Sequence, residues 1–278
     1  MKLLALLLVF FLTGCANIPM YDDSCTAALA AISECREPAI EVKLPTHVQL
    51  KKIPPAKDKI VVAVYEFQDL TGQRKSKDNI ASFSTAVTQG GTEMLIDALK
   101  TAGGNTWFRV VERAGIDNLV RERQIIRSTR EEHDEDKGIQ PLLFAGIIIE
   151  GGIIGYDSNI ESGGRGARYL GIGRTSKYRR DVVTVSLRGV STLTGEVLLN
   201  VQAKKTIFSY GTGFDVFKFV DMDTELVEYE DGVARNESVT YATRAAIEAA
   251  VVALIEQGDA RGFWTIQRSG ENSEEKGK

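Results

Sequence analysis

The 278-residue sequence holds only two histidines, two tryptophans, six prolines and three cysteines. Histidine is the side chain best matched to proton transfer near neutral pH. His47 falls in a proline-rich stretch and His133 in a charged run, so both are expected to be solvent-exposed and neither to serve as a base. The few cysteines and histidines show no metal-ligand spacing. No Walker A loop occurs, and Gly164-Arg165-Gly166 is not completed by a third glycine at the dinucleotide spacing. The acidic group Asp223, Glu225, Glu228 and Glu230 reads as a solvated or lumenal face rather than as paired catalytic acids. No enzyme activity, cofactor or metal is expected. Net charge is −4 with both signs mixed along the chain, so there is no basic stripe to attract nucleic acid. Beyond residue 14 no run approaches the roughly 18 apolar residues of a membrane helix. The best candidate, Leu142 to Ile149, is strand-sized. Any membrane insertion downstream must therefore use β-strands.

What is present begins at the N-terminus. Lys2 precedes an unbroken apolar run, Leu3 to Leu12, of signal-peptide length and too short to span a bilayer permanently. A buried core helix is the alternative. Leu12-Thr13-Gly14-Cys15 resembles a lipobox, in which small residues admit a peptidase and the thiol is acylated. Residues 1–14 are thus read as a lipoprotein signal and Cys15 as the lipidated residue, carrying diacylglycerol and an N-acyl chain. Ala16, rather than Asp, resembles the pattern of lipoproteins forwarded to the outer membrane. In an oxidising periplasm Cys25 and Cys35 are a possible disulfide. Ser24 to Glu37 reads as a helix, however, and ten helical residues separate the two by about 15 Å, so a bridge needs a bent arm or two subunits. Unpaired thiols are the other reading.

Residues 16–57 form an arm whose prolines (Pro19, Pro38, Pro45, Pro54, Pro55) favour extended chain. A β-branched run, Ile60 to Phe67, predicts a central strand. Val87 to Ala102 has helical spacing and a Gly103-Gly104 stop. Phe108 to Val111 predicts a strand, and a helix over about Ala114 to Arg127 presents Ile116, Leu119, Val120 and Ile126 as its apolar face. Arg130 to Lys137 is a charged loop. After Pro141 the chain turns to β, starting with Ala145 to Glu150. A last helix, capped by Asn236 or Ser238, runs to about Gln257 with Ala242, Ala245, Ala246, Ala249 and Ala253 on one stripe. That stripe suits core burial or a subunit interface.

The β region carries the most information. Val183, Val185 and Leu187 alternate with Thr184, Ser186 and Arg188, and Thr194-Gly195-Glu196 turns the chain into Val197 to Val201. Asn159 to Arg180 is rich in Gly, Tyr and Arg. Thr206 to Glu230 sets Phe208, Tyr210 and Phe214 opposite Ser209, Gly211 and Gly213. Each segment is long enough for two strands of about 9–11 residues, and its aromatic-out, small-or-polar-in alternation matches an outer-membrane barrel. A soluble antiparallel sheet with solvated faces produces the same alternation.

The run Ile153-Ile154-Gly155-Tyr156 followed by Ser162-Gly163-Gly164-Arg165-Gly166-Ala167-Arg168-Tyr169-Leu170-Gly171-Ile172-Gly173 resembles the CsgG family of curli-secretion lipoproteins. The likeness continues at Asp69-Leu70-Thr71-Gly72-Gln73, Phe83-Ser84-Thr85-Ala86-Val87, Glu122 to Arg127, Ser191 to Glu196, Lys205-Thr206-Ile207 and Gly262-Phe263-Trp264. It implies a periplasmic α/β domain plus two β-hairpins per protomer, which build a 36-stranded transmembrane barrel shared by a nine-subunit ring. It also implies unfolded curli-type subunits as cargo, with a periplasmic cap and extracellular accessory proteins as partners. The division becomes a signal at 1–14, a lipidated arm at 15–57, a periplasmic domain at 58–157 and a constriction loop at about 69–84. A transmembrane hairpin at 158–181, periplasmic strands at 182–205, a second hairpin at 206–231, a C-terminal helix at 232–267 and a disordered tail at 268–278 follow.

In this family a tyrosine, an asparagine and a phenylalanine of that loop line a narrow ring. Phe83 matches the phenylalanine and Ser82 stands at the asparagine position. The tyrosine region reads Lys75-Ser76-Lys77-Asp78-Asn79 with one extra residue, so Lys77, Asp78 and Asn79 would make a charged collar. Glu228, Glu230 and Asp221 would face the lumen. A non-channel lipoprotein acting as adaptor or activator of an envelope assembly complex is the other functional class; an envelope hydrolase lacks residues to carry it.

Overall fold

The computed structural model describes residues 43–74, 85–133, 137–169, 172–220, 225–236 and 238–267. Among these, ten elements occur in the order α1 (Pro45–Lys52), β1 (Ile60–Asp69), α2 (Gly91–Asn105), β2 (Phe108–Glu112), α3 (Ile116–Glu132), β3 (Ile147–Tyr169), β4 (Ile172–Ser191), β5 (Val197–Val220), β6 (Glu225–Asn236) and α4 (Val239–Ala260). The strands make one mixed sheet in the order β2-β1-β3-β4-β5-β6, and it is not closed within the chain. β1 lies parallel to both β2 and β3, whereas β3 to β6 pair antiparallel.

The parallel part follows from sequence. β1 is apolar almost throughout, as a strand enclosed in a mixed sheet must be, and Val62, Ala63, Val64 and Phe67 are buried. The regular helix of α2 breaks at the expected stop, because Gly103 (φ 56°) and Gly104 (φ 65°) adopt the left-handed conformation at little cost, and only a kinked end continues to Asn105. Its start differs: Thr85 forms a bridge and Ala86 to Gly90 run irregularly, and the helix begins at Gly91, where a Cβ would meet the Phe67 ring at 2.6 Å. α4 begins at Ser238, whose Oγ accepts from the Tyr241 backbone N–H at 3.0 Å. Of its alanine stripe, Ala242, Ala245 and Ala246 are buried in the chain's own core, which selects core packing over a subunit interface for those positions.

The core lies on the helix-covered face. Val183, Val185 and Leu187 of β4 and Leu199 and Val201 of β5 pack with Val251, Leu254 and Ile255 of α4 and with Leu95 and Leu99 of α2. Each such side chain, fully buried, contributes roughly 1.5–3 kcal/mol.

Three expectations change. The arm is not extended throughout: Pro45 sits at a position where proline favours a helix start, and α1 buries Leu50 beside Leu44. The charged run is helical as far as Glu132, its arginines and glutamates being good helix formers. The apolar face of α3 packs against nothing that buries it; no α3 residue is buried, and Val120 and Ile125 stand exposed. In place of a packed interface, three arginine side chains tie the following segment beside the helix: Arg123 to the Gln140 carbonyl at 2.7 Å, Arg130 to that of Lys137 at 2.6 Å, and Arg113 to that of Leu143 at 3.0 Å.

Candidate functional site

The long strands hold the first feature. β3 and β5 have 23 and 24 residues, which at about 3.3 Å per residue gives ladders far longer than the helix-covered core. β1 accompanies β3 only as far as Asp69↔Ile153. Beyond that point β3 pairs on one side alone, with β4 up to Tyr169↔Ile172. β6 likewise pairs only with β5. The two hairpins β3-β4 and β5-β6 thus form a four-stranded ribbon with an open edge on each side.

Register assigns the faces of this ribbon. Cross-strand partners share a face, so Tyr178 aligns with Gly163 and Tyr210, and Arg180 with Glu161 and Phe208. The Tyr178 ring covers Gly163, where a Cβ would meet it at 2.6 Å. The other face aligns Lys177 with Gly164 and Gly211, and Thr175 with Gly166 and Gly213. One face therefore carries the aromatic residues, in register with Glu161, Arg165, Arg174 and Arg180, and the other carries glycines among polar residues, so the two faces differ as the alternation predicts. The described aromatic side chains of the first face are exposed in one chain: Tyr169 is 79% exposed, Phe208 58% and Tyr210 52%. In backbone register Glu230 pairs with Asp215 and Glu228 with Phe217.

At the root of the ribbon sits a polar cluster. Asp181 is almost completely buried and accepts from Arg179 at 2.8 Å and, at a longer 3.4 Å, from the Tyr156 hydroxyl. Burial first, and the Asp181 carboxylate second, hold the Tyr156 hydroxyl above the usual tyrosine range. On the aromatic face Arg180 lies 3.3 Å from Glu161.

The second feature is the neck of the loop after β1. Asp69 accepts from Thr71 and from Gln89, the Ala86 N–H donates to the Gln73 carbonyl at 2.9 Å, and Arg74 and Thr85 form an antiparallel bridge. The ends of the loop are thereby held side by side. Lys77, Asp78, Asn79, Ser82 and Phe83 lie outside the described residues, as do Asp221 and the three cysteines Cys15, Cys25 and Cys35.

The open face of the sheet carries a cavity of about 410 Å³ lined by Tyr65, Gln68, Leu70, Glu150, Ile154 and Arg188. Its charged groups have partners, Arg188 donating to Glu150 at 2.7 and 3.1 Å and Gln68 Nε2 donating to Glu66, which also lines it. That leaves no nucleophile and base in contact there. Among the described residues no three His, Cys, Asp or Glu are grouped to hold a metal, and no helix is long and apolar enough to cross a membrane.

His133 is exposed, whereas His47 is not. Its side chain is 14% exposed, with Nδ1 3.6 Å from Oε1 of the buried Glu248 on α4. Sequence reasoning missed this because the two residues are about two hundred positions apart and α1 was read as extended chain.

The family profile described as "Curli production assembly/transport component CsgG" matches residues 43–278. The curli production assembly/transport component of Citrobacter koseri is 40% identical over 274 residues, covering 97% of this chain and 93% of that protein. Its counterpart in Escherichia coli K12 is 39% identical with the same coverage, and that of Salmonella typhimurium LT2 40% identical over 96% and 91%. Among solved structures, the PelC dodecamer from Paraburkholderia phytofirmans aligns over 73% of this chain and 91% of that one at 11% identity and a TM-score of 0.26, a likeness too slight to bear on function.

Proposed function

The chain belongs to the CsgG family, and from that membership and the geometry of its hairpins we propose that it is an outer-membrane channel secreting unfolded curli-type amyloid subunits. The observation that carries the proposal is the four-stranded ribbon with one aromatic face, one small polar face and two open edges. Each strand extends past the helix-covered core by at least the roughly 9–11 residues that cross a bilayer. Open edges cannot face lipid, where every unpaired backbone group costs several kcal/mol. One ribbon cannot close on itself. The β3 edge of each subunit would therefore take the β6 edge of the next, and nine copies would close a 36-stranded barrel.

In this ring the aromatic face meets lipid and the polar face lines the lumen, with Glu228, Glu230 and Asp221 among the lumenal residues. The loop held at the Asp69 neck supplies the constriction: Phe83 gives an apolar collar on which an unfolded chain slides without sticking, Ser82 adds a small polar group, and Lys77, Asp78 and Asn79 add charge. Cargo moves by diffusion, driven by concentration and by the entropy of confinement beneath a periplasmic cap, since the periplasm offers no ATP. No bond is made or broken, so the protein needs neither catalytic residue nor cofactor. Cys15, lipidated, delivers the protomer to the inner leaflet of the outer membrane and concentrates subunits until the hairpins insert together. Residues 15–57 then act as the lipidated arm, 158–181 and 206–231 as the transmembrane hairpins, and the remaining folded parts as the periplasmic body.

Planar-bilayer recording tests the proposal. Detergent-purified rings, verified by electron microscopy, are expected to give large, discrete and stable current steps. Verified rings that insert without conducting would sink it and favour an adaptor of an envelope assembly complex.

A further inference from the structure

The end of β1 carries a carboxylate shared by both limbs of the loop that follows. On the outgoing limb, Asp69 Oδ1 accepts from the Thr71 backbone N–H at 2.9 Å and from the Thr71 hydroxyl at 2.6 Å. On the returning limb, Oδ2 accepts from Gln89 Nε2 at 3.2 Å. That amide also donates to the carbonyl of Val87 at 3.3 Å, and Val87 is buried in the core. The root is fixed on its other sides by the Leu70 N–H donating to the Ile153 carbonyl at 2.9 Å and the Phe67 N–H donating to Thr92 Oγ1 at 2.9 Å.

We propose that Asp69 is a positioning residue of the channel, whose two carboxylate oxygens staple the limbs of the constriction loop at a fixed separation and register. This rests on the reading of the protein as a channel narrowed by that loop. Among the described residues the limbs are also joined at the neck by the antiparallel bridge of Arg74 and Thr85, to which the Ala86 N–H to Gln73 carbonyl bond belongs. Hydrogen bonds to a charged acceptor are about twice as strong as neutral ones, so the carboxylate is a strong restraint on the neck. In a ring of identical subunits the aperture is set by one loop from each, and positional spread at each neck becomes spread in the aperture. Asp69 therefore acts on the steadiness of the constriction rather than on its composition.

Hydrogen–deuterium exchange and single-channel recording on the same full-length rings test this. In Asp69→Ala, amides in peptides covering residues 70–74 and 85–90 should exchange at least about tenfold faster, the factor expected when charge-assisted bonds of ordinary strength are lost. Open-channel current noise should rise. Asp69→Asn should restore part of the protection in 70–74, because its amide oxygen still accepts from Thr71 as a weaker neutral acceptor, but not that in 85–90, because a Gln89 flipped to accept from the new amide turns its own oxygen toward the Val87 carbonyl. Gln89→Ala should speed exchange in 85–90 and spare 70–74. Unchanged exchange in Asp69→Ala overturns the staple. So does Asp69→Asn exchanging as fast as Asp69→Ala in 70–74, where the amide oxygen should still hold Thr71. If Asp69→Ala does not assemble, Gln89→Ala decides, as it removes only bonds of an exposed side chain. Exchange needs no current, so rings that exchange as expected but never conduct uphold the staple and refute the channel.

Discussion

The indole of Trp264 lies directly against Gly258, where a Cβ would fall 2.0 Å from ring atoms Cε2 and Cζ2. Gly258 is in the last turns of α4, and Trp264 closes the helix by donating from Nε1 to the Ile255 carbonyl at 2.8 Å. The ring also meets Trp107 and Phe108 edge-on, both at 6.3 Å between centroids. Alanine is the better helix former by about 1 kcal/mol, so a substitution here sets propensity against space. Space should win. Because the obstacle is a ring locked by two aromatic neighbours and a hydrogen bond, Gly258→Ala is expected to destabilise the protein by roughly 1–3 kcal/mol net. Denaturation followed by tryptophan fluorescence checks this, with Gln257→Ala as a control expected to be near neutral.

Glu248 is buried on α4, its Oε2 accepting a short hydrogen bond from the Thr46 hydroxyl of α1. Its Oε1 has no hydrogen-bond partner, nor has the facing His47 Nδ1 3.6 Å away, and Arg244 reaches only to 3.9 Å while holding Asp97 at 3.0 Å. Thr46→Val strips the carboxylate of its only close donor and should cost about 1–3 kcal/mol, the penalty for an under-satisfied buried acceptor. Glu248→Gln should cost under about 1 kcal/mol, because its oxygen can keep Thr46 while its nitrogen donates to His47 Nδ1. Chemical denaturation of both variants gives the comparison. A larger loss in Glu248→Gln than in Thr46→Val would show that the charge, through Arg244, matters more than the hydrogen bonds.

Tyr156 gives stability an alkaline limit. Its pKa is raised in the fold, by burial foremost and by Asp181 next. A raised pKa means that the folded protein holds the hydroxyl proton more tightly than the unfolded chain does. The contribution is thus complete below the unfolded value near 10 and is lost as pH rises through the folded value. Thermal stability should fall as pH climbs past about 10, and Tyr156→Phe should flatten that decline while leaving Asp181 its bond to Arg179. Melting curves between neutral and strongly alkaline pH provide the measurement; an unchanged slope in Tyr156→Phe would refute the assignment.

Local pattern made much of this fold readable. The continuous apolar run of β1 announces an enclosed strand, Gly103-Gly104 announces a helix stop, and alternation along β4 and β5 announces two dissimilar sheet faces. The neighbours that decide burial are not local. Nothing around His47 hints at burial, because its partner Glu248 is supplied by the last helix. The apolar spacing of α3 is real, yet spacing cannot say whether anything covers that face, and no residue of the helix is buried. The two functional features divide in the same way. Phe208, Tyr210, Ser209 and Gly211 advertise a two-faced ribbon by themselves, whereas the Asp69 staple joins residues 20 positions apart through side-chain geometry that no periodicity encodes.

The two faces of the ribbon make a paired test of membrane insertion. Thr212 pairs with Ser176 and shares the face of Tyr178 and Tyr210, whereas its neighbour Gly213 pairs with Thr175 on the face of Lys177 and Gly211. The same cation placed at adjacent positions therefore meets opposite environments. On the lipid side of a barrel an arginine costs about 2–4 kcal/mol at mid-depth, while in the lumen it remains hydrated and alters selectivity. Each subunit contributes the substitution, so the lipid-side cost recurs around the whole ring. Thr212→Arg should leave rings that fail to integrate into the outer membrane and are extracted by alkaline carbonate. Gly213→Arg should integrate normally, and its reversal potential under a salt gradient should shift toward anion preference. Fractionation reads the first and bilayer recording the second. If Gly213→Arg is the variant that fails to insert, the faces are reversed; if both integrate alike, the face of Thr212, which carries Arg165 in register through Ser176, does not meet lipid at this depth.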